Sequence, residues 1–169
     1  GVDWFQSGDF INSVLDIDPG GANHIRFLGD VVNSFINVEN GVSDWQVAGD
    51  VIDTTIDIEV GITNALFNGA ITGTGSTLDI DGIRNLTVNG QVYDSWLNCP
   101  NGIYKARFNG GIDSSGIDLG IGVMDFYASW STNTNYDIGD AGKVIFGGLN
   151  GGQVQFGSLS GILEAPAFN

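Results

Sequence analysis

Apolar residues along this chain recur at spacings of two rather than 3.6, in runs too short for helices, so the pattern predicts short strands. An apolar-x-apolar triplet recurs as Leu15/Ile17, Ile36/Val38, Ile56/Ile58, Leu78/Ile80, Leu97/Cys99, Ile117/Leu119 and Tyr136/Ile138. A second set lies one, four and six positions past a glycine, as in Val42, Trp45 and Val47 or Ile83, Leu86 and Val88. Single apolar positions, Phe10, Val31, Val51, Ile71, Val92 and Ile112, stand between the two. Each unit thus reads as three short strands separated by corners.

The corners repeat as well. A small residue returns at Gly8, Gly29, Gly49, Gly69, Gly90, Gly110, Ala128 and Gly148, in steps of 18 to 21 residues. Eight positions before each closing residue stands a second marker, at Gly21, Gly41, Gly61, Gly82, Gly102, Gly120 and then Asp140. Asp suits the last position because it tolerates the left-handed backbone that a corner glycine supplies. The segment after the second marker keeps its length, and length variation collects at the corner before it.

A β-sandwich would give short strands at similar spacing, but it does not require one residue type at one phase in consecutive units. A parallel β-solenoid does, because equivalent residues of successive turns lie about 4.8 Å apart. The expectation is an all-β chain forming a parallel β-helix of about seven coils of about 20 residues over 8–148. Phe27, Val47, Phe67, Val88 and Phe108 would form one interior ladder, with Cys99 packed inside as a small hydrophobe. Residues 1–7, with Trp4 and Phe5, are expected to lie over the first coil as a capping or contact flap. Residues 149–169 lose the period and are expected to form an irregular terminal coil ending near Phe168.

The stretches Gly-Asp-Val-Val-Asn-Ser-Phe-Ile-Asn-Val (29–38) and Gly-Asp-Val-Ile-Asp-Thr-Thr-Ile-Asp-Ile (49–58) resemble parallel β-helix repeats of large secreted or surface proteins of bacteria. The resemblance implies a stalk, adhesin or envelope fibre at the cell surface or outside the cell, and a minority of such helices act on polysaccharides. The hexapeptide pattern of left-handed helices is absent, which favours the right-handed form.

Composition narrows the partners. Twenty Asp and Glu against five Lys and Arg give a net charge of −15, a surface that repels nucleic acid and anionic membranes. No run of 18 apolar residues occurs, so membrane insertion is not expected. A single cysteine excludes an internal disulfide framework. The opening at Gly1 without Met reads as a processed or excised piece. All five basic residues, Arg26, Arg84, Lys105, Arg107 and Lys143, fall in the constant segment with only Asp44 and Asp125, which predicts one weakly basic face on an acidic prism.

Three outward columns carry the candidate chemistry. Asp16, Asn37, Asp57, Asp79, Asn98, Asp118 and Asp137 stand between the triplet members, and Asp9, Asp30 and Asp50 follow the first marker. The third, Asn12-Ser13, Asn33-Ser34, Asp53-Thr54 and Asp94-Ser95, is turn chemistry. The plain reading of all three is corner hydrogen bonding and solubility. The sharper one is calcium, held between the aligned pairs Asp30/Asp50, Asp57/Asp79 and Asp118/Asp137, the only cofactor the sequence suggests.

No nucleophile system is identifiable, because His24 is the sole histidine and lies in a polar stretch, so no enzyme is expected. The aromatic segment 126–136 offers Tyr127, Trp130 and Tyr136 as an alternative carbohydrate-binding patch. The favoured reading is a structural or adhesive module that stacks end to end on copies of itself or on adjoining domains through Trp4, Phe5 and Phe168. Polysaccharide binding or degradation is the alternative.

Overall fold

The computed structural model describes residues 1–166, and all of its regular structure is β. Every strand pair is parallel, and each strand between the two ends pairs with its equivalents one coil before and one coil after. The chain is therefore a β-solenoid of about eight turns with a three-sided section. Eight coils at the interstrand spacing make a prism about 38 Å tall.

One side, the broad face, is built from six-residue strands beginning with Val2–Ser7, Ala22–Phe27, Val42–Val47 and Ile62–Phe67. The narrow face has eight two-residue strands, from Phe10–Ile11 to Leu149–Asn150. The middle face starts with the four-residue strands Val14–Ile17, Phe35–Val38 and Thr55–Ile58. In the last coils Gly116–Ala128, Asn135–Phe146 and Gln153–Glu164 run through the corner that joins the middle and broad faces.

Alternation places the apolar set inside. Positions one, four and six of each broad strand face inward, and Phe27, Val47, Phe67, Val88 and Phe108 are all buried in one ladder, as the spacing predicts. The triplet residues line the interior of the middle face, Cys99 among them, and only Leu15 in the first coil stays half-covered. Desolvation drives the Cys99 thiol pKa upward, so it behaves as a neutral small hydrophobe.

The narrow-to-middle corner is a left-handed turn. Asn12, Asn33, Asp53, Asp94, Ser114 and Asn133 all take φ near +50°, and Gly73 and Gly151 complete the column. Asn and Asp tolerate that conformation, which is why they recur there. The next residue supplies a buried hydroxyl: the Ser34, Thr54, Ser95, Ser115 and Thr134 side chains each reach the carbonyl two residues back. The same oxygens accept amides from the preceding coil, Ser13 N to Ser34 Oγ, Ser34 N to Thr54 Oγ1 and Ser95 N to Ser115 Oγ.

Four expectations need correction. Residues 1–7 are not a flap: Val2–Ser7 pairs in parallel with Ala22–Phe27, so the first coil starts there and the coils number about eight rather than seven. Nor is the described part of 149–169 irregular, because Leu149–Asn150 and Gln153–Glu164 continue the columns; Phe168 lies outside the described residues. The markers Gly120 and Ala128 are each two residues early. Gly122 pairs with Asp140 at the corner, and Ala128 sits in the interior ladder between Phe108 and Phe146. Trp130 takes the marker place, its ring covering Gly111, where a side chain would collide with the indole. Finally, length varies at a second corner too, since Gly73–Ser76 inserts between Ile71–Thr72 and Thr77–Ile80.

Candidate functional site

Outward positions on the broad face bring the cations together. The column Trp4, His24, Asp44, Asn64, Asn85, Lys105, Asp125, Lys143 is continuous through eight coils. His24 Nδ1 lies 3.2 Å from the Asp44 carboxylate, and the Trp4 ring covers the imidazole at 4.9 Å between centroids. Asn64 donates to Asp44 at 2.9 Å and Asn85 donates to Asn64 at 2.9 Å. Lys105 and Arg107 share Asp125 at 3.8 and 3.9 Å. The predicted weakly basic face is thus one surface, although Asp3 joins it once Val2–Ser7 is a strand and Glu164 joins it beside Ile145. These pairs are solvent-exposed and each is worth under about 1 kcal/mol.

The acidic column of the middle face is also continuous, Asp16, Asn37, Asp57, Asp79, Asn98, Asp118, Asp137. Asn37 and Asn98 donate to Asp16 and Asp79 at 3.0 and 2.9 Å and separate carboxylates that would otherwise be adjacent. Asp57 and Asp79 do stand side by side, as do Asp118 and Asp137. Partial burial, and then the Asp79 charge, raise the Asp57 pKa.

Asp30 and Asp50 have a different task. The Asp9 carboxylate accepts the Asp30 amide at 3.1 Å, Asp30 accepts the Asp50 amide at 2.8 Å, and Asp50 accepts the Ala70 amide at 2.7 Å. Each side chain ties its coil to the following one, the corner bonding expected of this column. Calcium takes six to eight oxygens. Among the described residues no group of three or more Asp, Glu, His or Cys side chains is placed to hold a metal ion, so these acids meet as pairs.

The aromatic trio does not form a patch. Tyr136 is 2% exposed, packed against Phe126 and Phe146, with its hydroxyl donating to Ser131 Oγ at 2.8 Å. Its burial raises the phenol pKa and removes it from any surface ligand, which corrects its place in the trio. Tyr127 is outward beside Arg107 on the broad face, and Trp130 lies over Gly111 at another corner. Of the expected contact residues, Phe5 packs inward on Phe10 and Phe27, whereas Trp4 is 53% exposed.

An open groove runs along the corner between the middle and broad faces. Its central cavity, about 880 Å³, has Gly41, Gly61, Gly82 and Gly102 as floor and Ser43, Thr63, Arg84 and Tyr104 as one wall. Depressions of about 460 and 330 Å³ extend it toward the two ends. The glycines are the second markers of the repeat. Sequence reasoning found them but not the groove, whose signal was the side chain two positions past each marker.

Comparison with protein-family models, curated proteins and solved structures gives no match to the chain.

Proposed function

We propose that this chain is a rigid, acidic structural module of a cell-surface or extracellular assembly, which extends by stacking copies of itself end to end. The observation that carries the reading is the state of its two ends. Among the described residues, Val2–Ser7, Phe10–Ile11 and Val14–Ile17 at one end pair on one side only, as do Leu149–Asn150 and Gln153–Glu164 at the other.

Unpaired strand edges template pairing with another chain unless they are bulged, charged or covered. Among the described residues no helix covers them. Instead they carry apolar side chains: Val14 is 71% exposed at one end, and Ile162 and Leu163 are about half exposed at the other. Strands at both ends run in the same sense around the prism, so one copy's final strands can pair in parallel with the first strands of the next. Contacts between the basic broad face and the acidic middle face of neighbouring rods would add a salt-sensitive lateral component.

Light scattering and electron microscopy of the purified chain test this reading. The expected result is concentration-dependent growth into filaments one prism wide. Val14→Lys combined with Leu163→Lys should return the protein to monomers with unchanged β circular dichroism, since both positions are exposed. Strictly monomeric protein at high concentration and low salt overturns it.

A further inference from the structure

We infer that the corner groove binds a linear, uncharged, hydroxyl-rich polymer, a neutral polysaccharide, lying along the solenoid axis with its contacts centred on Arg84 and Tyr104. The inference is independent of end-to-end stacking.

Shape points first to a polymer. The central cavity spans several coils and continues into depressions on both sides, so the groove runs along the prism rather than closing around a small molecule. Ser43, Thr63, Arg84 and Tyr104 occupy one strand position in four successive coils, which spaces their contacts about 4.8 Å apart along that line. A repeating ligand meets a repeating wall.

The wall chemistry then selects among polymers. Polyanions are disfavoured by the net charge of −15, and Arg84 is the single charged residue lining the central cavity. An extended peptide docks by pairing its backbone with free main-chain groups. The floor withholds its carbonyls: those of Gly41, Gly61, Gly82 and Gly102 already accept the amides of Ala22, Val42, Ile62 and Ile83 at 2.8 to 3.1 Å. What remains is side-chain chemistry.

Three hydroxyls, of Ser43, Thr63 and Tyr104, the Asn101 amide and a guanidinium with five donors line the groove. Arg84 forms no ion pair among the described residues, so its donors are free for a ligand. Tyr104 is 59% exposed and Val60, on the opposite wall, 60%. An exposed aromatic ring with polar neighbours matches a sugar ring, which is apolar on its faces and hydroxylated at its edge.

Native electrophoresis in gels containing glucomannan, mixed-linkage β-glucan or dextran, with alginate as the polyanionic control, tests the assignment. At least one neutral polymer should retard the protein and alginate should not. Tyr104→Ala and Arg84→Ala should each weaken that retardation roughly tenfold, the loss of one good contact. Arg26→Ala, on the same face but outside the groove, should leave it unchanged. All three variants alter exposed side chains, and their thermal midpoints report that the fold is intact. Free migration in all three neutral polymers, equal retardation of the groove variants and the parent, or preference for alginate overturns the inference. None of these outcomes bears on filament growth, which is read separately.

Discussion

The ring of Phe126 lies 5.5 Å from that of Phe108 in the preceding coil, on the diagonal between Ala106 and Ala128. The same exchange runs through the whole interior. Where the sixth position of a broad strand is large, as in Phe27, Phe67, Phe108 and Phe146, its partner at the fourth is Ile25, Ala65, Ala106 or Val144. Where the sixth is Val47, Val88 or Ala128, the fourth is Trp45, Leu86 or Phe126. Large and small alternate along each ladder and across each coil, so a prism of constant section is filled at close packing.

Truncating one large member should therefore open a void that neighbouring coils cannot close. Phe126→Ala is expected to cost about 3–5 kcal/mol in denaturant unfolding. A cost below 1 kcal/mol would show that the ladders are not tightly packed.

Glycine markers differ in what surrounds them. A side chain at Gly90 would strike the backbone of Gly69 and Ala70 in the coil below, whereas one at Gly8 would meet nothing within 4 Å. Gly90→Ala should destabilise by more than about 3 kcal/mol or prevent folding, and Gly8→Ala should change stability by less than about 0.5 kcal/mol. Thermal unfolding of the two variants distinguishes a coil-stacking requirement from a general glycine preference.

The buried hydroxyl at the corner can be probed without changing shape. Thr54 Oγ1 accepts the Ser34 amide at 3.3 Å and lies 3.0 Å from the Ile52 carbonyl. Thr54→Val removes both contacts and leaves a buried amide unpaired, a loss of about 1–3 kcal/mol. Thr54→Ser keeps the hydroxyl and should recover most of it.

The Asp57–Asp79 pair sets a pH dependence. Burial and the neighbouring carboxylate raise the Asp57 pKa, so the folded state holds that proton more tightly than the unfolded chain does. Its contribution is fully present below the ordinary Asp pKa of about 3.9 and is lost as pH rises through the raised value. Asp57→Asn, which mimics the neutral form, should raise the thermal midpoint at pH 7 and lose that advantage under acid conditions. Equal midpoints of variant and parent across the whole range would remove the repulsion from the account.

Period-two alternation and the recurrence of one residue type at one phase determined the strands, the parallel stacking and the Phe27 to Phe108 ladder, and the Asn/Asp–Ser/Thr pairs marked a turn whose left-handed backbone only the structure disclosed. Residues one coil apart touch, so a solenoid writes its contacts into the repeat itself. The phase in the seventh coil was not determined that way. Gly120 and Gly122 differ by two, which preserves alternation, so only the pairing of Gly122 with Asp140 decides which turns the corner. For the same reason Val2–Ser7 could be read as a flap until its pairing with Ala22–Phe27 made it the first strand. The groove belongs wholly to the tertiary structure. Ser43, Thr63, Arg84 and Tyr104 are four different residue types about 20 residues apart, and only stacking the coils lines them up beside a floor without side chains.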